Sequence, residues 1–181
     1  IPEKFRNAME HVYDGEIPVS WRSKYVGLDK IEHDGVIYYF VDNEEYFRRE
    51  GFYGYGDDAE RFSFFCRAVL NLLQAMDFWP DVIHTNDWHS GLVNVLLKIE
   101  HQGDERYEKI RTLYTIHNLK YQGVFPKDVM SDVLGLDWKY FNNGDLEFYD
   151  AVNFMKGGLI YADYISTVSK TYAKEIQYEY F

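Results

Sequence analysis

From residue 81 onward the chain repeats one rhythm: a short apolar run, a polar turn, then an amphipathic stretch. Residues 81–85 read as a strand, 86–90 as a polar turn and 91–100 as a helix with Leu92, Val95, Leu96 and Ile99 on one face. After a charged connection over 101–108, residues 110–116 read as a second strand, with His117 and Asn118 just past its end. A long segment holding Gly123, Pro126 and Gly135 leads to a predicted helix over 146–162. Residues 164–168 then form a third strand, and Ser169 caps a last helix predicted to reach the chain end. Strands and helices alternating at these lengths specify an α/β fold, a parallel sheet with flanking helices.

The first part of the chain is built differently. Residues 19–31 and 36–41 are rich in β-branched and aromatic side chains, and His33, Asp34 and Gly35 between them carry turn chemistry, so 19–41 reads as a β-hairpin. Gly51, Gly54 and Gly56 interleave with Phe52, Tyr53 and Tyr55, which fits a loop. A helix should follow, with Asp57 as N-cap and Glu60 closing a capping box. Phe62, Phe65, Cys66, Val69, Leu72, Leu73 and Met76 would form its buried stripe, and Trp79-Pro80 would end it.

Composition excludes several partners. Thirty acidic against nineteen basic residues give a net charge of −11, which opposes a broad phosphate-binding surface, so no nucleic acid and no anionic membrane is expected as partner. No apolar run approaches the ~20 residues of a membrane span. The single cysteine, Cys66, has no partner for an internal disulfide and reads as a small core hydrophobe. A cytoplasmic location is expected, or a plastid if the source is a plant.

In open parallel sheets, ligands bind beyond the carboxyl ends of the strands. The three predicted strands deliver Asn86, Asp87, Trp88 and His89, then His117 and Asn118, then Thr167 and Ser169 to that rim. Ionised Asp accepts from sugar hydroxyls, Asn both accepts and donates, and aromatic rings stack on apolar sugar faces. Each residue also has a structural reading. Asp87 suits a helix cap, His117 a histidine bonded to nearby backbone, and Trp88 a core side chain. His84, Asp87, His89 and His117 suit a divalent metal chemically, but they lack a ligand spacing on a helix face, so no metal site is expected. Lys156-Gly157-Gly158-Leu159 mimics a phosphate loop, yet it precedes a strand instead of following one, and reads as close helix packing.

The run from His84 to Leu92 (His84-Thr85-Asn86-Asp87-Trp88-His89-Ser90-Gly91-Leu92) resembles the H-x-x-D-W-H-x-G-L segment of bacterial glycogen synthases and plant starch synthases. Thr115-Ile116-His117-Asn118-Leu119-Lys120-Tyr121-Gln122-Gly123 is similar to their T-[VI]-H-N-L-x-Y-Q-G segment, and a third match runs from Phe154 through Ser169. Over about residues 50–178 the resemblance implies a Rossmann-like domain, the N-terminal part of a two-domain glycosyltransferase of the GT-B type. Such enzymes transfer glucose from ADP-glucose to the non-reducing end of an α-1,4-glucan, with retention and without a cofactor or metal. By position, Asp87 is expected to bond the transferred glucose and His117 to lie near the reacting centre. Asn118 is expected to support that pocket, and Tyr55 to contact the glucan acceptor.

The family's Lys-x-Gly-Gly-Leu donor loop and its second Rossmann-like half find no counterpart in residues 1–181, and Ile1 is not a methionine. The resemblance therefore implies a partial N-terminal domain that needs the missing C-terminal domain of the same enzyme and is inactive alone. Three other readings stay open here. They are a UDP-glucose-dependent relative, a glucan-binding domain using Tyr53, Tyr55 and Trp88, and a metal-dependent hydrolase.

Overall fold

The computed structural model describes residues 1–178, which form three small sheets joined and covered by helices. After one helical turn, α1 (Glu3–Arg6), strands β1 (Glu10–Val19), β2 (Arg22–His33) and β3 (Val36–Asp42) make an antiparallel sheet in that order. The predicted hairpin is present as β2 and β3, closed by Asp34 and Gly35 at φ 51° and 76°, the left-handed pair a two-residue turn requires. Its start is corrected: Ser20, at φ 55°, turns the chain at Ser20-Trp21, so Val19 ends a separate strand. That strand, β1, escapes sequence reading because only Ile17 and Val19 are buried, and the apolar Val12 and Tyr13 before them are adjacent and exposed, so no alternation runs along it.

A short α2 (Glu44–Phe47) and the glycine loop lead into α3 (Asp58–Ala75). The predicted capping box does not form. Asp57 occupies the N-cap position, but Arg49 holds its carboxylate through Nη1 and Nη2 at 2.6 Å each. Glu60 instead takes the Tyr46 hydroxyl and the Arg22 guanidinium. Asp58, the first residue of α3, instead ties down the loop before the helix, accepting the N–H groups of Gly54 and Tyr55. The stripe is also wider than periodicity suggests. Phe64, Ala68 and Leu70 are fully buried beside Cys66, because α3 packs against β1 on one side and the next long helix on the other. Burial pushes the Cys66 thiol up to about 12, as befits a core side chain.

Next come β4 (Val82–Asn86), α4 (Asp87–Ile99), α5 (Glu105–Glu108) and β5 (Arg111–Ile116). Then β6 (Val124–Pro126), a π-turn at Met130–Leu134, α6 (Lys139–Asn142), β7 (Glu147–Phe148) and β8 (Ala151–Asn153) precede α7 (Phe154–Ile160). Strand β9 (Tyr164–Thr167) and α8 (Lys170–Glu175) are the last elements among the described residues. The three predicted parallel strands are β4, β5 and β9, adjacent in that order. The helix predicted over 146–162 is corrected to α7 alone. Tyr149 and Asp150 both adopt left-handed backbone and fold 147–153 into two strands, paired beside β6. Asn153 then starts α7 by accepting the Lys156 N–H at 2.9 Å. Ser169 caps α8 as expected, accepting the Tyr172 N–H at 3.0 Å, but the helix stops at Glu175, and the last three residues of the predicted extension lie outside the described residues.

The Gly157-Gly158 pair serves packing. A Cβ on Gly158 would come within 2.8 Å of Gly91 Cα and 2.7 Å of the Tyr114 ring, so α4 and α7 meet backbone to backbone above β5. No helix among the described residues is long and apolar enough to cross a membrane.

Candidate active site

The site is built where β4 and β5 end side by side, Asn86 being paired with Thr115 in register. The segment read as a polar turn is the first turn of α4, which begins at Asp87, four residues before the predicted start. Asp87 makes this abrupt strand-to-helix change by taking φ 54°, a left-handed conformation that Asp and Asn tolerate better than other non-glycine residues. Ser90 clasps the corner: its Oγ accepts the Asn86 N–H at 2.6 Å and donates to the Asn86 carbonyl at 2.8 Å.

The Asp87 carboxylate turns away from its own helix and across to β5. Its Oδ1 accepts the His117 N–H at 2.8 Å and the Asn118 N–H at 3.4 Å. No described residue hydrogen-bonds its other oxygen. The His117 ring comes back across the same gap, its Nε2 lying 2.9 Å from Asn86 Oδ1. Asn118 Oδ1 accepts the Lys120 N–H at 3.1 Å, and the Leu119 N–H is donated to the Tyr172 hydroxyl at 2.8 Å, which pins the loop. Asp87, His117 and Asn118 therefore form one cluster. Thr167 lies beside it, donating to the Ile116 carbonyl at 2.7 Å, and Ser169 is occupied as a helix cap.

Trp88 is 5% exposed and stacks on His89 with ring centroids 4.0 Å apart, while Phe62 and Phe125 meet it edge-on. It is a core side chain whose edge floors an adjoining hollow of about 500 Å³, walled by Tyr53, Asp58, Lys120, Gly123, Phe125 and Phe148. Tyr55 stands outside this hollow. The guanidinium groups of Arg49 and Arg61 each lie 4.9 Å from its ring centroid, and its hydroxyl accepts the Gly51 N–H at 2.9 Å. Sequence reasoning brought Asn86 to the rim without giving it a role, and it left the hollow out of the site. Gly123 is the one local signal for the hollow: at φ 64°, with Trp88 2.5 Å from where its Cβ would be, only glycine fits.

The sequence pattern of the starch synthase catalytic domain matches residues 1–181. The chain belongs to the starch synthase catalytic domain family. A glycogen synthase of Desulforamulus reducens is 51% identical over 177 residues, covering 98% of this chain and 37% of that protein. One from Clostridioides difficile is 51% identical over 185 residues, covering all of this chain and 38% of that protein. Among solved structures, the catalytic domain of starch synthase IV from Arabidopsis thaliana, bound to ADP and acarbose, superposes with a TM-score of 0.84. That match is 29% identical and covers 95% of this chain and 36% of the other. The chain thus spans well under half the length of its starch synthase-family relatives.

In this starch synthase-family chain the four groups that suited a metal by type do not converge on one point. His84 bonds Thr115 Oγ1 at 2.6 Å, His89 lies among aromatic rings, and Asp87 and His117 bond as described. No group of three or more His, Cys, Asp or Glu able to hold a metal gathers among the described residues.

His89 and His101 give the fold a pH dependence. Burial depresses both below the usual imidazole value of 6.5, against the opposing pull of Asp87 on His89 and Glu100 on His101. His89 Nε2 is also buried without a hydrogen-bond partner among the described residues, so protonating it adds an unpaired donor. A folded value below the unfolded one means that these rings stabilise the fold above pH 6.5 and lose that contribution as pH falls through their folded values. Thermal melts of the chain should therefore decline as pH falls below 6.5, and less steeply in His89→Gln. Identical slopes in the two proteins would contradict this assignment.

Proposed function

We propose that the chain supplies the glucose-facing half of a glycogen synthase, which transfers glucose from ADP-glucose to an α-1,4-glucan with retention of configuration. One arrangement supports the reading above all: the Asp87 carboxylate spans two strand ends to hold His117 and Asn118, in a chain 51% identical to glycogen synthases. Asp87 accepts a hydroxyl of the transferred glucose through its unengaged oxygen. His117 and Asn118 meet the same sugar near the reacting carbon. The glucan end approaches over the hollow beside Trp88, with Tyr53 as its wall; Tyr55, on the same loop but outside the hollow, meets the acceptor beyond it.

A retaining transfer passes through an oxocarbenium-like state. Positioning the donor carbon against the acceptor hydroxyl, and neutralising the departing diphosphate, carry most of the rate. A chain of net charge −11 is poorly suited to the second task, which falls to cationic groups of a facing domain. No cofactor or metal enters this scheme, and the reaction is placed in the cytoplasm. Residues 1–181 alone are therefore expected to incorporate no glucose into glycogen from ADP-glucose. Steady incorporation by the purified chain would overturn the assignment of half a site.

A further inference from the structure

We propose that Asn86 is a positioning residue that holds the His117 imidazole as its Nε2–H tautomer and so presents Nδ1 as the ring's acceptor. The inference rests on the reading that His117 meets the transferred sugar. The two residues lie at the ends of neighbouring parallel strands, 2.9 Å apart between Asn86 Oδ1 and His117 Nε2. The amide orientation follows from its other end. Asn86 Nδ2 faces the His84 carbonyl at 3.5 Å, and a flipped amide would set oxygen against oxygen there. With Oδ1 fixed as an acceptor, the ring nitrogen opposite it must carry the proton.

Ser90 bonds both the N–H and the carbonyl of Asn86, so the main chain beneath the side chain is fixed. His117 is held at a second point, its own N–H donated to Asp87. Backbone and ring of one histidine are thus gripped by consecutive residues of the opposite strand end. The ring's exposed edge then has only Nδ1 left, a lone pair suited to receive a proton from a sugar hydroxyl and unable to donate one.

Two readouts test this. The first is long-range nitrogen–proton NMR of the histidine-labelled chain at pH 8, which needs no sugar. Unaltered chain should show His117 with a protonated Nε2, an unprotonated Nδ1 and a slowly exchanging Nε2–H signal. Asn86→Ala should lose that signal and draw the two nitrogen shifts together, and Asn86→Asp, which keeps an acceptor, should restore both. The second uses a hybrid in which residues 1–181 replace the matching segment of the Desulforamulus reducens glycogen synthase. There Asn86→Ala should lower kcat/KM for ADP-glucose roughly five- to tenfold, the worth of one neutral hydrogen bond. KM for glycogen should stay unchanged, and Asn86→Asp should recover most of the loss.

A protonated Nδ1 in the unaltered chain, or identical spectra with and without the Asn86 amide, overturns the proposal. So does a hybrid whose kinetics ignore Asn86→Ala while the spectra change. An inactive but folded hybrid before any Asn86 change overturns instead the functional reading beneath it, and the spectra tell the two failures apart.

Discussion

Asp87→Ala is expected to reduce kcat/KM of the hybrid synthase on the order of 10²–10³-fold. Two losses add. A charged hydrogen bond to a glucose hydroxyl contributes about 1.5–3 kcal/mol, and about 1.4 kcal/mol is a factor of ten. The second loss is structural, because Oδ1 also holds the N–H groups of His117 and Asn118. Other substitutions separate the terms. Asp87→Asn keeps an Oδ1 acceptor and tolerates φ 54°, so the loop stays in place and the loss should be nearer tenfold. Asp87→Gly suits the left-handed backbone but removes the carboxylate, so it should melt no lower than Asp87→Ala while being as inactive. Equal activity in Asp87→Ala and Asp87→Asn would remove the carboxylate from its assigned role.

Arg61→Leu is expected to destabilise the chain by about 3–5 kcal/mol in urea unfolding. Arg61 is 1% exposed, an extreme position for a guanidinium. Its partners explain why it is held there. It pairs with the buried Asp58 carboxylate, donates Nε–H to the Tyr46 carbonyl at 2.8 Å and Nη2–H to the Phe52 carbonyl at 3.2 Å. Removing it strands a buried carboxylate and two carbonyls. Arg61→Lys should rescue little, since one ammonium cannot reproduce a fork that serves three sites. Adding Asp58→Leu to Arg61→Leu should recover only part of the stability, because Asp58 also receives Gly54 and Tyr55. A loss below about 1 kcal/mol for Arg61→Leu would place the pair among the weakly contributing ion pairs. Since Arg61 and Asp58 anchor the loop that carries Tyr53 and Tyr55, the same change in the hybrid should raise KM for glycogen more than KM for ADP-glucose.

Strands β4, β5 and β9 were legible because each is a β-branched or aromatic run with helical pattern on its flanks. Asp87, His117 and Asn118 were legible for the same reason, as polar residues placed where such strands end. Left-handed backbone hid much of the rest. Ser20 splits what looks like one strand, Tyr149 and Asp150 break what looks like one helix, and Asp87 lets α4 begin where the sequence reads as a turn. Such conformations at non-glycine residues leave no periodic signal. The capping box at Asp57 and Glu60 failed because local sequence cannot show that Arg49, Arg22 and Tyr46 hold those carboxylates. Asn86 was read at the rim but without a role, because that role depends on register, on which residue of β5 lies opposite the end of β4. The hollow beside Trp88 depends on Gly123 folding residues 120–125 back over that ring, a contact absent from either motif taken alone.

Glucose transfer by the hybrid tests the central claim most directly. Supplied with radiolabelled ADP-glucose and glycogen, it should incorporate label into polymer with retention. Asp87→Ala should fall by on the order of 10²–10³ at unchanged circular dichroism. A folded hybrid that incorporates no label, or an Asp87→Ala hybrid as active as its parent, would contradict a glucose-binding role for the junction of β4 and β5.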